Sequence, residues 1–116
     1  MSVDMPKSLK TIGAGAFKFC EKLVSVVFPK GLESIGIQAF RNCKELSAIV
    51  IPDSVCSIGA FAFWSCNRLW SAYIPESVTY IGDNAFGLCR DITVYTPKGS
   101  FAAEYARNTR TDFRFR

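Results

Sequence analysis

The chain has 116 residues, of which 49% are apolar and 21% charged. That is the size and balance of one folded domain with its own core, and no apolar run nears the roughly 20 residues of a membrane-crossing helix. Net charge is +4, but Arg107, Arg110, Arg114 and Arg116 against Asp112 supply most of it, so the body is nearly neutral. The basic tail reads as a solvated terminal strand and not as a nucleic-acid surface. Histidine is absent, which removes Ser-His-Asp triads, Cys-His dyads and imidazole metal sites.

The segment MSVDMPKSLKTIG lacks a basic stretch followed by a continuous apolar one, so no secretory signal peptide is expected in this chain. Residues 1–11 look like a row entered part-way, because Met5-Pro6 falls into line with Phe28-Pro29 of the following row. No capping segment is expected ahead of it. A strand edge and core left open there would suit docking onto another repeat, or self-association with a second copy.

From Ile12 onward the chain repeats without a gap, in rows starting near 12, 35, 58 and 81. Ile12-Gly13, Ile35-Gly36, Ile58-Gly59 and Ile81-Gly82 align. Ala16-Phe17, Ala39-Phe40, Ala62-Phe63 and Ala85-Phe86 follow, then Cys20, Cys43, Cys66 and Cys89, then Leu23, Leu46, Leu69 and Ile92. Ala16, Phe17 and Cys20 stand at i, i+1, i+4, the spacing of one face of a helical turn pointing into the core. Leu23-x-x-Val26-x-Phe28 and Leu46-x-x-Ile49-x-Ile51 match L-x-x-L-x-L, with the period of two that marks a strand. The proline after each (Pro29, Pro52, Pro75) has no N–H to give a ladder, so the strand stops there. Leu32/Ile35, Val55/Ile58 and Val78/Ile81 then predict a second short extended segment, and the glycine after it a corner where φ turns positive.

A constant spacing of this size, within the range of roughly 20–29 residues, is that of a leucine-rich repeat, in which no row buries its own apolar face and stacking completes the core. The expected fold is an α/β repeat solenoid: a right-handed coil with a parallel β-sheet on one face, short helical turns on the other, and about four rows. Residues 1–98 form the repeats. Residues 99–116 are expected to cap them, with Ser100 as helix N-cap, Ala102, Ala103 and Ala106 as helix formers, and Phe113 and Phe115 in a closing strand.

Rows such as IPDSVCSIGAFAFWSCNRL and IPESVTYIGDNAFGLCRDI closely resemble the BspA-like, or Treponema pallidum type, leucine-rich repeats, and VYTPKGSFAAEYARN resembles the segment that often closes them. The resemblance implies a binding scaffold of the kind associated with adhesion, on the cell surface or secreted. It brings no catalytic residue, no cofactor and no named ligand.

The remaining chemistry is sparse. Four of the five cysteines recur once per row rather than as C-x-x-C pairs, which argues for buried, reduced thiols with parallel Cβ vectors and against zinc or disulfides. Cys56 stands where the other rows have Ser8, Glu33 and Thr79, and is expected at the surface. Trp64, in the place of Lys18, Arg41 and Gly87, is expected to be exposed beside Phe61 or Phe63. Outward strand positions make columns: Val27, Val50 and Tyr73 form an apolar one with Trp70 beside its end. Such a strip has the composition of a protein-binding patch, and these four residues are the candidate site for a protein partner. Cross-strand pairing alone would also favour β-branched and aromatic residues there.

Overall fold

The computed structural model describes all 116 residues. In chain order the elements are β1 (Ser2–Asp4), β2 (Thr11–Ile12), β3 (Ser25–Val27), β4 (Ser34–Ile35), β5 (Ala48–Val50), β6 (Ser57–Ile58), β7 (Ser71–Tyr73), β8 (Tyr80–Ile81), β9 (Thr93–Thr96), α1 (Phe101–Asn108) and β10 (Asp112–Phe115). They form two parallel sheets, β1-β3-β5-β7-β9-β10 and β2-β4-β6-β8. The sequence period is the sheet register: Ser2 faces Ser25, Ser34 faces Ser57, and Ala48 faces Ser71. In the last row the step shortens by one, so that Tyr73 faces Tyr95. Counted from β1, the coil makes about five turns before α1.

Inward residues alternate with outward ones along each long-sheet strand. Val26, Ile49, Ala72 and Val94 are buried, while their neighbours face out. Each of β3, β5 and β7 ends before the phenylalanine or isoleucine that precedes its proline. The serine of the I-P-x-S-V motif has a job in the stack: Ser54 Oγ donates to Leu32 O and Ser77 Oγ to Val55 O, each satisfying a carbonyl of the preceding row.

The segment from each glycine to each cysteine differs from the expected helical turn. Ala39 N–H donates to Gly36 O and Arg41 N–H to Gln38 O, within the row; Phe40 N–H donates to Ala62 O and Asn42 N–H to Trp64 O, in the next row. This alternation replaces the i→i−4 ladder by bonds between rows. It requires left-handed backbone at two places per row, Gly15/Gln38/Phe61/Asn84 and Phe19/Asn42/Ser65/Leu88, with φ between 56 and 65°. Alanine, phenylalanine and cysteine still reach the core, because tight turns also gather i, i+1 and i+4. Ala39, Phe40 and Cys43 are fully buried, whereas in the first row Ala16 is exposed and Phe17 and Cys20 are half-buried.

Positive φ therefore falls away from the glycines that follow isoleucine. Those glycines are needed for room. A Cβ on Gly36 would lie 2.7 Å from Ile12 O and one on Gly59 2.6 Å from Ile37 N, while one on Gly82 would run into Ala60 N. Gly13, with no row in front of it, has nothing within 4 Å.

The core is a ladder. Phe17, Phe40, Phe63 and Phe86 stack with centroids 5.0, 5.1 and 5.2 Å apart and planes within 9°. Tyr105 of α1 closes the stack edge-on to Phe86 at 6.3 Å. Helix α1 begins where Ser100, in extended backbone, accepts the Ala103 N–H at 3.0 Å, and it buries Ala102, Ala103 and Ala106. Strand β10 then joins the long sheet, with Phe113 opposite Val94.

Candidate functional site

The long sheet turns one face to solvent, and its register fixes what that face carries. One column runs Asp4, Val27, Val50, Tyr73, Tyr95, Arg114. The column beside it is small and hydroxyl-rich: Ser2, Ser25, Ala48, Ser71, Thr93. Val27 and Val50 are 74% and 65% exposed, Tyr73 is half-buried, and Trp70, 56% exposed, stands just before β7. Trp70 is held by main chain on both sides, its N–H donating to Ser47 O and its carbonyl accepting from Thr93 N–H. Val27, Val50 and Tyr73 thus share one column, and Trp70 is exposed just ahead of the strand that carries Tyr73.

Two partners of that face are not evident from the repeat. Tyr95 continues the column, but the shortened last step takes it out of strict alignment. Arg116 places its guanidinium 5.6 Å from the rings of both Tyr73 and Tyr95, a cation–π contact that holds two neighbouring aromatics in one orientation. Where the strands end, shallow hollows form between rows, one of them lined by Lys30, Val50, Pro52, Asp53 and Tyr73.

Trp64 is half-buried rather than exposed. It packs edge-on to Phe61 at 6.1 Å, lies 4.7 Å from the Arg41 guanidinium, and covers Gly87, where a Cβ would sit 2.7 Å from the indole. Glycine in that row leaves the room the indole occupies.

The thiols form a ladder of their own. Cys43, Cys66 and Cys89 donate to Phe17 O, Phe40 O and Phe63 O at 3.1, 3.2 and 3.1 Å, and all five cysteines are free. No group of three or more Cys, Asp or Glu is arranged to hold a metal. Burial, with a smaller push from the Cys20 charge against the pull of a backbone bond, raises the Cys43 thiol from its ordinary 9.0 to about 11. The unfolded thiol ionises first, so this stabilisation is complete below pH 9 and is lost as pH rises towards 11. Urea unfolding should show stability falling across that window, with a shallower fall in Cys43→Val. An equal fall in both would refute the assignment. In native protein at mildly alkaline pH, exposed Cys56 should react with a thiol reagent long before the ladder cysteines, and mass mapping of the first adduct checks it.

The sequence matches the BspA type leucine-rich repeat region over residues 1–103, in six copies. The chain belongs to this family. Among solved structures, a leucine-rich repeat protein from Bacteroides ovatus superposes over 91% of the chain with TM-score 0.80 and 29% identity, using 28% of its own length. A T. pallidum leucine-rich repeat protein matches over 81% of the chain and 57% of itself, at TM-score 0.64 and 27% identity. A leucine-rich cell surface protein from Faecalibacterium prausnitzii matches over 90% of the chain and 34% of itself, at TM-score 0.63 and 28% identity. The chain spans less than two thirds of each of these proteins. No curated protein matches it. The fold and the repeat chemistry of the BspA type family are therefore those of this chain.

Proposed function

We propose that this BspA type chain is a noncatalytic protein-binding module of the adhesion kind, working at the cell surface, and that its partner docks on the exposed face of the long sheet. Val27, Val50, Trp70 and Tyr73 are the anchors, with Tyr95 extending them. The observation that carries this reading is the unbroken apolar and aromatic column across parallel strands, with Trp and Tyr on rigid backbone beside small hydroxyl residues that let a partner approach closely. The cell surface protein among its structural relatives supports the setting.

For a specific protein partner, Trp70→Ala and Tyr73→Ala should each cost about 2 kcal/mol or more of binding, roughly thirtyfold in affinity. Calorimetry checks this, with circular dichroism to establish that the coil is intact. A partner indifferent to both changes binds elsewhere.

A second reading rests on the first row. One edge of β1 is unpaired, and Phe17 and Cys20 are only half-buried where their counterparts in later rows are covered. A second copy or another repeat docked there would finish the stack. Light scattering that reports a monomer at every concentration would remove self-association.

A further inference from the structure

The far end of the coil has a different chemistry. In the first three rows the N–H groups at the two left-handed positions, and at the phenylalanine between them, all point along the coil axis to the next row. Gly15, Phe17 and Phe19 donate to Ile37 O, Ala39 O and Arg41 O; Gln38, Phe40 and Asn42 to Ala60 O, Ala62 O and Trp64 O; Phe61, Phe63 and Ser65 to Asp83 O, Ala85 O and Gly87 O. In the fourth row the equivalent donors are Asn84, Phe86 and Leu88, and no main-chain carbonyl follows to receive them. Tyr105 packs edge-on to the Phe86 ring at this end. Asn84 and Leu88 N–H are left without a protein acceptor.

These three residues line a cavity of about 460 Å³ between the last row and the segment joining α1 to β10. Arg90 and Arg110 line it too, with Thr109 and Thr111. Neither arginine is in an ion pair or a cation–π contact, unlike Arg68 and Arg107 with their glutamates or Arg41 and Arg116 on aromatic rings. The carbonyls at the end of α1 are already engaged: Tyr105 O accepts from Thr109, Ala106 O from Thr111 and Arg107 O from Arg110. Asp112 is the one carboxylate on the wall, leaving a positive balance. The open Asn84 and Leu88 N–H groups offer hydrogen-bond donors on this wall, and two guanidinium groups outside any ion pair add charge-assisted ones.

We propose that this end cavity is a binding site for a phosphate or sulfate group, held by the Asn84 and Leu88 N–H groups and by Arg90 and Arg110. The volume is large enough for such a group carried on a small organic body.

The test is a 15N–1H NMR titration of the whole chain with inorganic phosphate, sulfate and, separately, acetate, at fixed ionic strength. Phosphate and sulfate should shift the Asn84 and Leu88 amides along one saturable curve, at least several-fold tighter than acetate. Arg110→Gly keeps the local backbone, since Arg110 already has φ 58°, and should weaken binding about tenfold, as should Arg90→Ala. Asp112→Asn should tighten it, and Arg68→Ala, whose side chain is no part of the cavity wall, should leave it unchanged. Shifts that do not saturate, that scatter over all basic residues, or that acetate reproduces at equal affinity overturn the assignment, as does unaltered binding in Arg110→Gly and Arg90→Ala together.

Discussion

Phe63→Ala is expected to lower the unfolding free energy by about 3–5 kcal/mol, measured by urea titration. Phe63 is fully buried, and its ring is stacked at 5.1 and 5.2 Å on two others. Removing it opens a void in mid-ladder that the neighbouring rows cannot close, because inter-row hydrogen bonds at Ala62 and Phe63 hold their spacing. Against a typical domain stability of about 5–15 kcal/mol, such a loss takes much of the margin. Phe17→Ala deletes the same ring from the end of the ladder, where it is half-buried with one stacking neighbour, and should cost about half as much. Equal losses at the two positions would mean that the stack does not carry the core.

The second large effect comes from adding one carbon. Gly59→Ala puts a methyl group 2.6 Å from Ile37 N and 2.7 Å from Gly36 C, main-chain atoms that cannot swing aside. The rows must part, weakening the bond from Gly59 N–H to Ile35 O, and a cost of roughly 3 kcal/mol follows from overpacking of this kind. Gly13→Ala makes the same chemical change at the same point of the repeat with nothing in the way, and should be near neutral. The contrast separates crowding between rows from any dihedral preference of the glycines. A destabilised Gly13→Ala of the same size would show that backbone conformation is the cause.

How the sequence stands to this structure depends on which force places each residue. The strands, the register, and the buried phenylalanines and thiols follow from spacing alone, because a fixed period puts like residues on like neighbours, and the Ser100 cap follows from residue type. The turns were less legible. Ala39, Phe40 and Cys43 have a helix-like spacing, yet the bonds that decide their conformation go to Ala62 and Trp64 in another row, and a local pattern does not contain them. Gly36, Gly59 and Gly82 read as conformational glycines for the same reason: the atoms that exclude a side chain there belong to the preceding row. The outward placing of Val27, Val50 and Tyr73 was legible, since it follows from alternation, whereas Trp70 lies just before β7 and its exposure does not. Tyr95 fell outside because the last row is one residue short, and Arg116 because its approach to two tyrosines depends on β10 pairing with β9. The end cavity leaves no signature in the repeat, since Arg110 reaches it from the segment after α1 and the Asn84 and Leu88 N–H groups differ from those of earlier rows only in having no row after them.

The coil is closed at one end by Tyr105 and β10 and bare at the other, and each row touches only its neighbours. Cooperativity in such a stack decays with distance, so its two ends differ in lifetime. Among the amides bonded from row to row, exchange should be fastest at Gly15, Phe17 and Phe19, slow through the middle rows, and still slow at Val94 beneath the closing strand, so that the stack loosens from its first row inward.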